Sequence, residues 1–357
     1  MNKKELKKLL IIFLLSKIII ILYLIINKSF SMLDYYDGEL YLTIAEYGYI
    51  EEKLYAFFPL YPLLIRLLHI IIPSYRLAGF IISNCCSFGS LVIIDLLTKK
   101  VKDNKFNLLC YAFSPILAFI SINYTEALYI MLTLLGYYLY KKDKILLSSI
   151  VIGLCILTRN SGIILWGAIG IDMLYRFFKK KDFSFKKIVM FGLISLLIGI
   201  LYPLYTYIKE GNFFLFFTVQ NSAWGRESSN LISSIYNDIH QIINMPQYRL
   251  NNIIMFIEDW FFYFGALILG IKIFKKDKAA SIYVLVALFA FQLSARETNW
   301  YTLTSTSLYR YVLGLFPLYI YIFNNKQSYK YKYIITLIVI LISLFNCILL
   351  YNNFFIG

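Results

Sequence analysis

The length of the apolar runs constrains this chain more than any other feature. Stretches such as 188–208 and 333–352 carry no charged residue. They reach the roughly 17–25 residues that a helix needs to cross a bilayer. Lipid offers the backbone no hydrogen-bond partner, so a chain built of such runs folds as transmembrane helices. The hydrophobic share of 60% and the mean hydropathy of +0.69 exclude an ordinary soluble domain. No Gly/Ser/Pro-rich linker and no short-period repeat divides the 357 residues, so a single membrane-embedded unit over 1–357 is expected.

The formal charge of +15 sits in lysine-rich loops between apolar runs rather than on one continuous face. That is the positive-inside pattern of a membrane protein, and it points to lipid rather than nucleic acid as partner. The N-terminus and the loops at 99–105, 141–144, 176–187, 272–278 and 326–332 should therefore be cytoplasmic. The spans that satisfy this rule are 9–27, 77–97, 106–122, 125–141, 144–158, 161–178, 188–208, 254–273, 279–295, 308–324 and 333–352. The expected fold is thus an all-α polytopic protein of about eleven transmembrane helices, its N-terminus inside and its C-terminus outside. The first apolar run is longer than the h-region of a signal peptide and no A-x-A site follows, so it reads as an uncleaved span. The apolar segment 57–72 would invert every later basic loop if it crossed, so it should lie in the outer interface or re-enter.

This topology puts two sizeable loops on the outer face, 28–76 and 209–253, and a short one at 296–307. The first is acidic in a basic protein. Glu39 and Glu46 fall on one face of a helix whose other face carries Leu40, Ile44 and Tyr47, the pattern of an amphipathic interfacial helix. Asp37 lies beside Tyr35, Tyr36 and Tyr41, where partial desolvation would suit a general base. Asp34 can assist it or cap a nearby helix. Glu126 opens a span on the outer side, where it can line a site or complement the helix dipole. Arg159 interrupts two apolar runs, and so deep a charge calls for a partner, with Glu126 and a lipid phosphate both open. Arg296 and Arg310 flank the last outer loop as candidate phosphate ligands, with Arg226 in support, since guanidinium forks two hydrogen bonds onto phosphate oxygens.

Other chemistries find no support. The five cysteines lie in apolar runs without C-x-x-C spacing, and the two histidines are isolated. No P-loop or dinucleotide fingerprint occurs, so neither a nucleotide cofactor nor an obligatory metal is expected, although Asp37 or Glu126 could ligate a divalent ion.

Motifs in four regions of the chain resemble those of the PIG-V type of multi-spanning mannosyltransferase. Asp37 follows Tyr36 where the family has Trp-Asp. Ile44, Ala45, Gly48 and Tyr49 match I-A-x-x-G-Y, and Ala56, Phe57, Phe58, Pro59 and Pro62 match A-F-F-P-x-x-P. Thr125, Glu126, Ala127 and Leu128 match an S/T-E-A-L-like motif, and Arg159 opens a similar Arg-to-Gly turn at Gly162. Arg310, Tyr311, Phe316, Pro317 and Leu318 match an R-Y motif ahead of F-P-L. The Tyr36 departure keeps an aromatic ring beside the aspartate. The resemblance implies a GT-C fold with amphipathic helices in the first outer loop and Asp37 as the catalytic carboxylate. It implies an inverting glycosyltransferase with mannose as the expected sugar. An extracytoplasmic site implies a polyprenyl-phosphate sugar donor and a glycan or glycolipid acceptor, in the bacterial cytoplasmic membrane or, in a eukaryote, the ER membrane. A flippase or transporter of lipid-linked sugar, without catalysis, is the rival class; it predicts that Asp37→Asn spares function.

Overall fold

The computed structural model describes residues 3–27, 31–245, 249–296, 303–305, 307–323 and 330–351. The secondary structure of these residues is almost wholly helical. Helix α1 (Lys3–Asn27) is followed by a segment that holds a 3-10 turn at Ser31–Asp34 and two short helices, α2 (Asp37–Tyr47) and α3 (Leu60–His69). At about 16 and 15 Å, both fall well short of the roughly 30 Å hydrocarbon core. Gly48, at φ +80°, ends α2, and the Arg66 guanidinium of α3 donates to the carbonyls of Ile44, Ala45 and Glu46. A cation at the carbonyl end of one helix thus fastens it to the next.

The body follows as α4 (Tyr75–Thr98), α5 (Lys105–Ala112), α6 (Glu126–Lys141), α7 (Ile145–Thr158), α8 (Gly162–Tyr175), α9 (Phe185–Gly199) and α10 (Leu201–Glu210). It continues through α11 (Leu215–Ser222), α12 (Leu231–Asn244), α13 (Arg249–Ile273), α14 (Lys278–Gln292), α15 (Leu308–Leu313), α16 (Pro317–Tyr321) and α17 (Lys332–Tyr351). A two-residue antiparallel ladder joins β1 (Arg226–Glu227) to β2 (Ala295–Arg296). Helix α6 packs between α4 and α7 and is buried along most of its length. Exposed apolar residues on the outer helices, including Leu197, Ile257 and Ile334, form the surface expected of a lipid-facing protein.

Among the described residues, four helical stretches are long and apolar enough to cross a membrane: Tyr75–Thr98, Phe185–Glu210, Leu250–Ile273 and Lys332–Leu350. The bent pair Lys3–Ile18 and Ile20–Ile26 makes a fifth if it counts as one span. The expectation of about eleven continuous spans is too regular. The expected span 106–122 is helical only to Ala112, because Pro115 has no N–H and its ring clashes with the carbonyl four residues back. The expected span 308–324 breaks into α15 and α16 around Gly314 and Pro317.

These two breaks pack together and satisfy each other's polar groups. The Asn107 amide donates to the Tyr319 carbonyl, the Tyr319 hydroxyl donates to the Leu313 carbonyl, and the hydroxyls of Ser114 and Tyr319 pair at 2.8 Å. Irregular backbone is tolerated at membrane depth only when protein covers it in this way. Ile116, Leu117 and Ala118 are completely buried.

Helices α11 and α12 make up much of the described part of the long loop 209–253. Ile232, Tyr236, Ile239 and Ile243 form an exposed apolar stripe on α12, whereas Ser234, Asp238 and Gln241 are buried. The polar face of α12 is thus turned into the protein and its apolar face outward.

Candidate active site

Two carboxylates begin two helices, and the fold brings those helix starts together. Asp37 is the first residue of α2 and Glu126 the first of α6. Both profit from the partial positive charge of a helix N-terminus. The Asn123 N–H donates to the Leu33 carbonyl at 2.8 Å, and the Tyr124 hydroxyl donates to the Tyr35 carbonyl at 3.0 Å. Gly38 makes the approach possible: a Cβ there would lie 3.3 Å from the Asn123 carbonyl oxygen and 3.5 Å from the Tyr124 ring. Tyr36, immediately before Asp37, adopts φ 53°, a conformation that strains a bulky side chain and that recurs at functional sites.

Arginines bridge the two carboxylates. Arg310 on α15 reaches Asp37 Oδ2 with Nη2 at 3.1 Å and Glu126 Oε1 with Nε at 3.2 Å. Arg159, just past α7, reaches the same Glu126 oxygen with Nη1 at 3.1 Å. Glu126 is 1% exposed and Arg310 4%, whereas Asp37 is 26% exposed. The Arg310 guanidinium also lies 5.1 Å from the centre of the Phe119 ring and 5.5 Å from that of Tyr124. Aromatic faces of this kind stabilise a desolvated cation.

Tyr311 ties in a third guanidinium. Arg226 donates to the Tyr311 hydroxyl at 3.3 Å and to the Ser294 carbonyl at 3.1 Å. The guanidinium groups of Arg159, Arg226 and Arg310 all lie within 6 Å of the Tyr311 ring centre. Three guanidinium groups therefore gather where two carboxylates stand, which leaves a net positive charge beside an accessible Asp37. That arrangement can take an anionic group next to a carboxylate.

Tyr41 lines the floor of the loop, its hydroxyl 3.2 Å from Thr125 Oγ1, and burial pushes its phenol well above the usual range. Asp34 stands apart. Its Oδ2 accepts from Arg76 Nη2 at 2.6 Å and Nε at 3.0 Å, and α2 receives no side-chain cap, so its part is an ion pair with α4. Burial raises the Asp34 carboxyl and Arg76 opposes the rise. Arg296 pairs its backbone with Arg226 across the short ladder, and its side chain lies outside the described residues. Among the described residues, no three His, Cys, Asp or Glu side chains gather as a metal site.

Sequence reasoning missed Arg76, Tyr311 as the shared ring, and the buried Asp238 and Asp259. The Arg-Tyr motif offered a signal for Tyr311. The others carried none, because their importance lies in contacts between distant segments.

A family model described as Mannosyltransferase (PIG-V) matches residues 17–312. The fold is similar to that of ArnT from Cupriavidus metallidurans, solved bound to undecaprenyl phosphate, with a TM-score of 0.52 at 13% identity. That likeness covers 90% of this chain and 63% of ArnT. The Archaeoglobus fulgidus oligosaccharyltransferase, solved in complex with Zn and sulfate, has a TM-score of 0.46 at 14% identity, over 88% of this chain and 47% of its own. No curated protein matches the chain by sequence.

Proposed function

The chain belongs to the PIG-V mannosyltransferase family, a family of glycosyltransferases, and from that premise we propose an inverting transfer of mannose from a polyprenyl-phosphate donor to an extracytoplasmic glycan or glycolipid acceptor. One observation carries the reading: the accessible carboxylate of Asp37 is held beside the buried Arg310 and two partly buried arginines, so that guanidinium groups outnumber carboxylates. The solved fold of ArnT with undecaprenyl phosphate supports a lipid-phosphate ligand by analogy alone.

In the proposed mechanism the donor phosphate meets Arg310, with Arg159 and Arg226 behind it, and draws Arg310 away from Asp37. The acceptor hydroxyl then approaches the anomeric carbon from the opposite side. Its oxygen forms the new bond as the bond between that carbon and the phosphate oxygen breaks, and its proton passes to Asp37. Single displacement inverts the anomeric centre. A general base of this kind contributes about 10²–10⁴ in rate. The arginines neutralise the charge on the departing phosphate, the role a divalent ion fills elsewhere. Glu126 holds Arg159 and Arg310 side by side through one shared oxygen, Oε1. The N-terminus would be cytoplasmic and the site extracytoplasmic, following the basic loops.

The test is a transfer assay in proteoliposomes with radiolabelled polyprenyl-phosphate mannose and a panel of glycan and glycolipid acceptors. Transfer of label to an acceptor with inverted configuration is the expected result. Movement of the donor between leaflets without transfer would replace the enzyme with a transporter.

A further inference from the structure

The helix that carries Arg310 cannot hold itself in place. Helix α15 has six residues, too few for a helix stable on its own. Ser307, at φ 71°, leads into it and Gly314 ends it. Its position is fixed instead from two neighbouring helices, each of which offers one completely buried aspartate.

Asp238 on α12 accepts from the Thr304 N–H and the Thr304 hydroxyl, both at 2.7 Å, and from the Ser305 N–H at 3.3 Å, all through Oδ1. Its Oδ2 accepts from the Trp260 indole at 3.2 Å. Asp259 on α13 accepts from the Tyr309 N–H at 2.6 Å through Oδ1 and from the Ser305 hydroxyl at 3.0 Å through Oδ2. The two carboxylates thus hold Thr304, Ser305 and Tyr309, and Arg310 is the residue after Tyr309. Burying a carboxylate is costly unless donors replace its water, and here the replacing donors belong largely to these three residues.

We propose that Asp238 and Asp259 are positioning residues for Arg310: they hold Thr304, Ser305 and Tyr309 and thereby aim the guanidinium at Asp37 and Glu126. The consequence for transfer rests on the proposed function; the clamp itself does not. Because Asp238 sits on the buried face of α12, the clamp also ties the outer loop to the arginine cluster.

The decisive experiment reads the arginine directly. Purified full-length protein is treated with phenylglyoxal, and modification of Arg310 and Arg159 is followed by mass spectrometry, alongside the melting temperature. Arg310 in the native chain should resist modification, as a 4% exposed and ion-paired group. Asp259→Ala should raise its modification about tenfold in chains that remain folded below a lowered melting midpoint, the effect of losing one buried hydrogen-bond acceptor. Asp259→Asn should restore most of the protection, because its amide oxygen still accepts from Tyr309 and its amide nitrogen can donate to Ser305. Should Asp259→Ala fail to fold, Thr304→Val and Ser305→Ala decide the matter by the same readout, since each removes one hydroxyl from the clamp. Unchanged Arg310 protection in folded clamp variants overturns the proposal.

A kinetic cycle separates positioning from general support. Thr304→Val should lower kcat/KM in the native background and lower it no further in an Arg310→Lys background. Equal losses in both backgrounds would make the clamp merely structural and overturn the proposal. If no chain transfers sugar, the phenylglyoxal result still decides the clamp, and only the glycosyltransfer reading fails.

Discussion

Removing the charge of Glu126 while keeping its shape tests the arrangement of the arginine cluster. One oxygen of Glu126 lies 3.1 Å from Arg159 and 3.2 Å from Arg310. At an effective dielectric of about 20, each of those pairs attracts by roughly 5 kcal/mol before desolvation is counted. Breaking one partner out of a buried ion pair costs about 3–5 kcal/mol, because the charge left behind has neither water nor counter-ion. Glutamine retains an acceptor oxygen, so Glu126→Gln should sit near the lower end, about 3 kcal/mol. The assay is reversible unfolding in detergent micelles of four chains: native, Glu126→Gln, Arg159→Gln and the double variant. Once Glu126 is neutral, Arg159 has lost its anion, so the two losses should couple by about 1 kcal/mol or more. A Glu126→Gln chain within about 0.5 kcal/mol of native, with additive losses in the double variant, would refute the reasoning.

Other expectations follow from single contacts. Arg310→Lys keeps the charge and loses the fork that meets Asp37 and Glu126 together, so transfer should fall about 10²–10³-fold in a kcat assay. Gly38→Val places branched bulk against the Asn123 carbonyl, shifts the start of α2, and should lower kcat about 10²-fold with little change in expression. Tyr61→Phe removes a hydroxyl paired with Ser83 at 2.8 Å and donating to the Gly79 carbonyl at 3.1 Å; it should cost about 1 kcal/mol in unfolding and leave transfer per folded molecule unchanged.

The helical membrane class could be read from the chain because the apolar runs leave no other way to satisfy the backbone. Asp37, Glu126, Arg159 and Arg310 were legible for a related reason: a charge in or beside an apolar run has few destinations, and these four converge. That Asp37 and Arg310 meet across 273 residues could not be read from either segment alone. The broken helices were misread because apolar composition masks a break, and the prolines at 115 and 317 counted for less than the runs around them. Asp238 and Asp259 gave no sign of their place. Asp238 reads as a polar position of an outer loop, and its partner Thr304 lies 66 residues away. Asp34 was read only against its neighbours, as an assistant to Asp37 or a cap, when its partner Arg76 lies 42 residues on.

The central claim is that Asp37 takes the acceptor proton. The most direct measurement compares native and Asp37→Asn chains of matched folding in single-turnover transfer from polyprenyl-phosphate mannose, with donor binding measured separately. Loss of a positioned base predicts a fall of about 10²–10⁴ in the chemical step with donor affinity retained. Transfer at the native rate by Asp37→Asn would contradict the account and remove Asp37 from the chemistry.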